Sequence, residues 1–149
     1  MTDYNTLASE LVEYIRECAD TKHNKYAEDY THGEFRILTL LSTHTDGISP
    51  GDICELLSMT TPRISAAVAG LVRKGLVERV TDELDRRRLH IYITDKGSAL
   101  VNGKRDELTA SFAELLEYLG EEDARQYVRI MGRIGARNRK DVDKTRRSL

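Results

Sequence analysis

The fold of this 149-residue chain is decided by residues 78–97, ERVTDELDRRRLHIYITDKG. Leu89, Ile91 and Ile93 alternate there with more polar residues, which is the period of a half-buried strand. The preceding segment, Leu76–Thr81, predicts a partner strand, and the charged loop Asp82–Arg88 would join the two into a hairpin. Three consecutive arginines at the tip of a hairpin cannot be buried without partners, so the hairpin must present them to another molecule.

The segments before the hairpin have the order of a helix-turn-helix. Helix-start signals occur at Ser49-Pro50 and again at Thr61-Pro62, where we expect Thr61 to be the N-cap. Apolar residues then recur at i, i+3, i+4, i+7 and i+8 from Ile64 to Val72, which predicts a core stripe, and Gly75 supplies the stop signal. A one-sided helix between a short turn and a hairpin predicts a winged helix-turn-helix, with Thr61–Lys74 as its recognition helix.

The outward face of this helix is expected to meet B-DNA in the major groove. Arg63 is the residue there that can make a bidentate contact with guanine, and the hydroxyl groups can serve bases or phosphates. Small residues, Ala66 and Gly70, would let the helix approach the DNA closely. The residues predicted to reach DNA from this helix are Thr60, Thr61, Arg63, Ser65, Ala66 and Arg73.

Amphipathic helices flank this unit. One is expected over about Asn5–Tyr26, a capping box at Thr31–Glu34 begins the next, and two more are expected between Thr94 and Gly120 and over about 122–139. The predicted fold class is mostly α with a small β-hairpin wing. We assign 1–30 to an N-terminal dimerisation helix, 31–97 to the winged helix-turn-helix (recognition helix about 61–74, wing about 76–94), and 98–149 to C-terminal dimerisation helices.

Dimerisation is expected because the terminal helices carry apolar stripes that one small winged helix cannot cover. An obligate interface of about 2,000 Å² or more would cover them. A two-fold homodimer in turn predicts a pseudo-palindromic operator whose half-sites lie about 34 Å apart, one turn of the duplex.

The net charge of −2 conceals an asymmetry. Residues 1–59 hold four Lys/Arg and eleven Asp/Glu, a net −7, whereas residues 60–97 hold eight and five, a net +3, and residues 98–149 hold eleven and nine, a net +2. A localised basic centre on an otherwise acidic chain fits an anionic partner such as double-stranded DNA. No apolar run approaches the length of a membrane span and no signal-peptide pattern is present, so we expect a cytoplasmic protein with no membrane partner.

Catalytic and metal-binding motifs are not found in the sequence. It has no Gly-rich phosphate loop, no nucleophile elbow and no metal-binding helix motif, so we expect neither an enzyme nor a cofactor. The four histidines lack ligand spacing, which predicts no metal site. A winged helix used for protein–protein contact is an alternative, although the arginines of the hairpin and Arg63 favour DNA.

Three segments together resemble the multiple-antibiotic-resistance regulator (MarR) family: residues 71–79 (LVRKGLVER), 85–87 (DRR) and 93–97 (ITDKG). The order of helices over nearly the whole chain fits this resemblance. It implies a homodimeric winged-helix transcription factor, here expected to be a ligand-responsive repressor. It also maps the wing residues: Arg87 as the minor-groove residue, Asp85 as its brace and Arg86 at a phosphate.

The resemblance further implies an effector pocket between the dimer helices and the winged helix, suited to a small anionic aromatic compound. Candidates for its lining are Tyr14, Tyr30, His32 and Arg36. Some relatives sense peroxides through a cysteine of the first helix, which makes Cys18 a candidate redox residue. Cys18 also falls in the apolar register of that helix, and buried cysteines are usually inert, so packing is the competing interpretation.

Overall fold

The computed structural model describes residues 1–18 and 33–147, and for residues 139–147 it describes the backbone only. Within these ranges the fold is mostly helical with one β-hairpin, which confirms the predicted fold class. The elements in chain order are α1 (Tyr4–Cys18), α2 (Gly33–Ser42), α3 (Pro50–Leu57), α4 (Thr61–Arg73), β1 (Val77–Thr81), β2 (Leu89–Ile93), α5 (Asp95–Leu119) and α6 (Glu121–Arg147). The chain forms two compact units, Met1–Leu108 and Thr109–Leu149.

The hairpin pairs β1 and β2 antiparallel, with Val77 opposite Ile93 and Thr81 opposite Leu89. Ile48, in the connection between α2 and α3, exchanges two backbone hydrogen bonds with Ile91, of 3.1 and 2.8 Å. The hairpin is therefore anchored along its second strand to the segment that leads into the helix-turn-helix.

The core of the first unit lies where α2, α3, α4 and the hairpin meet. Its members are β-branched or leucine side chains at the helical and strand periods of the sequence. The buried apolar residues are Ile37, Leu38, Leu41, Ile48, Ile53, Ile64, Val68, Leu71, Leu76, Val77, Ile91 and Val101. This core fixes α4 to α3 and fixes both to the hairpin.

Helix α3 begins as its sequence predicts. The Ser49 hydroxyl accepts the Asp52 N–H at 3.1 Å and donates to the Asp52 carboxylate at 2.7 Å, while Pro50 occupies the first turn. Ser58 ends the helix in the left-handed conformation, with φ of 53°. A tight left-handed end of this kind makes the short turn into α4 possible.

Helix α4 differs from prediction at its start. Thr60 is the N-cap, with extended backbone angles, so the expected cap at Thr61 is wrong by one residue. Thr61 and Pro62 both lie inside the first turn, where a proline is tolerated because its missing N–H would have had no helical partner.

Two further sequence-based expectations fail within α4, and one fails in α6. Gly70, expected on the outward face, is buried, and Val72, expected in the core stripe, is 38% exposed. Helix α6 continues to Arg147 instead of ending near Arg139, because no glycine or proline occurs between these two residues and charged helix formers follow one another there. The capping residue Thr31 and the expected end of the first helix at Tyr26 lie outside the described residues.

The terminal helices leave apolar side chains exposed. On α1 no residue is buried, although its sequence is amphipathic. Its large exposed apolar residues are Tyr4, Leu7, Leu11, Val12, Tyr14 and Ile15. In the second unit, the corresponding residues of α6 are Tyr127, Val128, Ile130, Met131 and Ile134. Of the helices described, none combines the length and apolar character needed to cross a membrane.

Candidate nucleic-acid interface

The N-terminus of α4 is open towards solvent. Thr60 accepts the Ile64 N–H through its carbonyl at 3.0 Å, but its hydroxyl makes no capping hydrogen bond. The first N–H groups of a helix have no partner within it, and the positive end of the helix dipole lies there. With the exposed Thr60 and Thr61 hydroxyls, this end of α4 is suited to hold a phosphate group.

The exposed face of α4 carries the predicted contact residues. Arg63, Ser65, Ala66 and Arg73 are all exposed. Ile64 and Val68, on the opposite face, are buried in the core. The face that can enter a groove is therefore fixed in rotation by the face that is packed.

Gly70 is not part of that exposed face. A Cβ atom at this position would overlap the Glu34 carboxylate, so the absence of a side chain lets the start of α2 approach α4 closely. Glu34 forms an ion pair with Lys74 just beyond the end of α4. Its sequence neighbour two positions along, Arg36, donates to the carbonyl of Leu57 at the end of α3 at 3.4 Å. Helix α2 thus contacts the ends of both helices of the helix-turn-helix.

The connection from α4 to the hairpin is held by polar contacts to the start of α5. The Thr94 hydroxyl donates to the Gly75 carbonyl at 2.8 Å, and Lys96 donates to the Lys74 carbonyl at 2.9 Å. These bonds satisfy carbonyls at the end of α4 and fix the wing relative to the recognition helix.

The wing loop is shaped by two aspartates. The Asp82 carboxylate accepts the N–H groups of Leu84 at 2.8 Å and Asp85 at 3.2 Å. The Asp85 carboxylate accepts the Arg87 N–H at 3.0 Å and lies 3.7 Å from the Arg88 guanidinium. Backbone bonds between Asp82 and Arg88 and between Arg88 and Asp85, of 2.9 and 2.8 Å, close the loop.

Asp82 is a residue that sequence reasoning missed. The N–H groups of Leu84 and Asp85 hold the pKa of its carboxyl below the ordinary value, because they stabilise the charged form; Arg88 and His90 add a smaller electrostatic contribution. The available signal was an aspartate at the first position of a turn, followed by residues whose N–H groups it can accept.

The bracing function of Asp85 involves different partners from those expected. Asp85 contacts Arg87 through the backbone of Arg87, not through its side chain. Its guanidinium partner is Arg88, the last residue of the loop. In the described part of the chain, the guanidinium groups of Arg86 and Arg87 have no ion pair and no hydrogen bond, and both residues are exposed. The same holds for Arg63.

A cleft of about 520 Å³ lies between the start of α3 and the root of the wing. Its lining combines the capping residues of α3 with the residues that enter β2, namely Ser49, Pro50, Asp52, Arg87, Arg88, Leu89 and His90. The Nδ1 atom of His90 is buried and has no partner among the described residues. The cleft therefore contains both an acidic and several basic groups.

The residues predicted for an effector pocket are only partly described. Tyr14 is exposed on α1, and Arg36 is exposed on α2 with its guanidinium on the Leu57 carbonyl. Tyr30 and His32 lie outside the described residues. Cys18, at the end of α1, is exposed in this single chain and forms no disulfide, which differs from the buried position that its apolar register suggested. Among the side chains described, those of residues 1–18 and 33–138, no cluster of His, Cys, Asp and Glu could hold a metal ion.

A helix-turn-helix followed by a hairpin with unpaired arginines defines a winged helix-turn-helix protein. The sequence profile of the MarR family matches residues 28–88. The HTH-type transcriptional regulator PecS of Dickeya dadantii is 29% identical over 103 residues, 68% of this chain and 62% of PecS. The HTH-type transcriptional repressor YetL of Bacillus subtilis is 26% identical over the same coverage of each chain. The chain is similar to the MarR family over residues 28–88 and to these two regulators over 103 residues.

The matched segment spans less than two thirds of the length of these two curated relatives. Solved structures extend the likeness. A variant of Staphylococcus aureus MepR bound to an oligodeoxyribonucleotide has a TM-score of 0.62 at 25% identity, covering 91% of this chain and 98% of that one. MepR bound to ethidium bromide has a TM-score of 0.58 at 25% identity, covering 91% and 96%.

Proposed function

We propose that this chain is a dimeric, sequence-specific DNA-binding transcriptional regulator that acts as a ligand-responsive repressor. The proposal rests on three exposed arginines of the first compact unit whose guanidinium groups have no partner among the described residues. Arg63 lies on α4, and Arg86 and Arg87 lie on the wing, whose loop Asp85 holds in shape. The oligodeoxyribonucleotide bound to a MepR variant supports DNA as the ligand class.

The proposed contact residues reach different parts of the DNA. Arg63 takes a guanine edge in the major groove, where a bidentate pair is worth about 1–3 kcal/mol of discrimination. Arg87 enters the minor groove, whose negative potential is deepest where A/T-rich DNA narrows it. The hydroxyls of Thr60, Thr61 and Ser65 serve phosphates and base edges near the α4 N-terminus, and Ala66 allows close approach. Arg73, at the other end of α4, and Arg86, on the wing, serve phosphates.

The proposed homodimer is supported by the apolar side chains that α1 and α6 leave exposed. Several large apolar side chains exposed on one amphipathic helix mark a protein interface more often than a free surface. Sedimentation equilibrium is expected to give twice the 16.9 kDa chain mass at micromolar concentration. A monomer that still binds DNA specifically would contradict the dimer.

Sequence-specific binding is tested by selecting bound duplexes from a random pool. Fluorescence anisotropy then gives the Kd for the selected duplex and for a duplex of scrambled sequence. The selected duplex is expected to be pseudo-palindromic and to bind at least about 10³-fold more tightly than the scrambled duplex at physiological salt. Weak binding that is equal for all duplexes would contradict the proposal.

The proposed regulator responds to a small ligand. Tyr14, Tyr30, His32 and Arg36 are the proposed lining, and a small aromatic carboxylate is the proposed effector. The structure of MepR bound to ethidium bromide supports an aromatic ligand. In the same anisotropy assay, salicylate or benzoate is expected to raise the Kd for the selected duplex. An unchanged Kd with these and with related phenols would contradict this effector class.

A further inference from the structure

The tip of the wing carries an apolar residue among charges. Leu84 is 100% exposed, and it lies between Glu83 and Asp85 and only two residues before Arg86. Isolated exposed leucines are common on protein surfaces, so exposure by itself indicates nothing. What distinguishes Leu84 is that its backbone is fixed and that its position is at the tip of the loop proposed to meet DNA.

The fixation is direct. The Leu84 N–H donates to Asp82 at 2.8 Å, and the next residue, Asp85, donates to the same oxygen at 3.2 Å. The loop is closed on its far side by the bond from Asp82 N–H to the Arg88 carbonyl. Leu84 is therefore held in place before any partner binds, and little backbone entropy is lost when a surface covers it.

The charges around Leu84 permit an anionic partner. The carboxylates of Asp82 and Asp85 are occupied by N–H groups of the loop, and Asp85 also lies beside Arg88. Glu83 is the acidic residue of the tip without such a contact in the described chain. Arg86 and Arg87 supply the attraction, so the apolar side chain and the cationic groups are presented on one short loop.

We propose that Leu84 packs against the deoxyribose edges that form the walls of the minor groove, beside Arg87. This inference rests on the proposed DNA-binding function and adds an apolar contact to it. The minor groove is about 6 Å wide, so it admits few side chains, and its walls are the apolar faces of the sugars. Architectural proteins show that leucine, isoleucine or phenylalanine can enter this groove, although there they wedge between base steps.

An apolar contact has a measurable signature that distinguishes it from an ionic one. Each phosphate contact made by a cation contributes to the slope of log K against log salt concentration, whereas burial of a leucine does not. Removing Leu84 should therefore lower affinity at every salt concentration and leave the slope unchanged.

The experiment measures the Kd for the selected duplex between 50 and 300 mM salt with Leu84→Ala, Leu84→Met and Glu83→Ala, after circular dichroism has verified that each variant is folded. Leu84→Ala is expected to weaken binding by about tenfold with an unchanged slope, since much of a leucine side chain would be lost from the contact. Leu84→Met should bind within about twofold of the wild type because methionine keeps the apolar volume. Glu83→Ala, the matched neighbour, should bind as well as the wild type or better.

Three outcomes would overturn the inference while leaving the proposed function intact: Leu84→Ala binding like the wild type, Leu84→Met binding as weakly as Leu84→Ala, or a salt slope that falls with the affinity. If the wild-type protein itself fails to prefer the selected duplex, the proposed function fails, and this contact fails with it.

Discussion

At the scale of single residues, the wing owes its shape to carboxylates placed inside a basic loop. Asp82 and Asp85 would repel DNA if they projected freely, but their oxygens accept N–H groups of the loop itself. A carboxylate that holds N–H groups is a strong acceptor, since hydrogen bonds to charged groups are about twice as strong as neutral ones. The acidic residues therefore organise the tip and leave Arg86 and Arg87 available.

Asp82 gives this bracing a pH dependence. Because the pKa of its carboxyl is lowered in the folded loop, its contribution to loop stability is complete above the unfolded value of about 3.9 and is lost as the pH falls through the lowered pKa. The Leu84 amide resonance, followed by NMR, is expected to shift with a midpoint below about 3.9. A midpoint at or above that value would mean that Asp82 does not hold the loop.

Asp3 provides a matched control for this titration. Its pKa is also lowered, first by the Thr6 hydroxyl and then by the N–H groups of Asn5 and Thr6, at the start of α1. In Asp82→Asn protein the Asn5 and Thr6 amides should keep their acidic titration, whereas the Leu84 amide should lose its own. Loss of both would indicate a general acid transition instead of a local one.

At the scale of elements, the start of α5 packs tightly against both ends of the hairpin. Gly97, in the first turn of α5, is buried, and a Cβ atom there would overlap the Leu76 carbonyl oxygen and lie 2.8 Å from the Ile93 side chain. The same Leu76 carbonyl accepts the Thr94 N–H at 3.1 Å. Neither the backbone nor the short strand can yield easily, so this glycine sets how closely the wing packs against α5.

Gly97→Ala is expected to lower the free energy of unfolding by about 1–3 kcal/mol, the usual cost of overpacking a tight site. The matched control is Gly103→Ala in the same helix, where nothing lies within 4 Å of the added Cβ. That variant should raise the free energy of unfolding by about 0.5–1 kcal/mol, since alanine has the better helix propensity. Urea denaturation followed by circular dichroism measures both, and a Gly97→Ala protein as stable as Gly103→Ala would refute the packing account.

The elements were predictable from the sequence where one local signal dominates. The strict alternation in β2 and the Ser49 cap of α3 both depend on neighbouring residues, and both were identified. The start of α4 was misplaced by one residue because both threonines can cap and Pro62 is tolerated at either of two positions. Gly70 was assigned to the wrong face because its neighbour, Glu34, is distant in sequence.

In the candidate site, too, some features follow from the local sequence and others depend on the folded geometry. Arg63, Arg86 and Arg87 could be selected from the sequence because their charge cannot be buried without a partner. The partner of Asp85 could not be chosen among three consecutive arginines, because the loop geometry decides it and not the composition. Leu84 lies in the loop that the sequence predicts, but the hydrogen bonds that fix its backbone depend on the loop geometry.

At the scale of the whole molecule, the segment that holds α4 and the wing has a net positive charge, and the segment before α4 has a net negative charge. The net +3 of residues 60–97 coincides with α4 and the wing, while the net −7 of residues 1–59 lies in the part that ends before α4 begins. An acidic remainder limits non-specific attachment to DNA, so affinity depends on the basic elements being presented in the correct geometry. The proposed dimer would present two such sets on one duplex.

Substitution of Arg87 is the sharpest test of whether α4 and the wing together recognise one DNA sequence. The measurement is the Kd for the selected duplex against salt concentration for the wild type, Arg87→Ala and the matched control Arg125→Ala, whose guanidinium pairs with Glu121 on α6. Arg87→Ala is expected to weaken binding at least about tenfold and to reduce the salt slope by about 1, while Arg125→Ala stays within about twofold of the wild type. Equal, small effects of both substitutions, or a wild-type protein that binds the scrambled duplex equally well, would contradict the account.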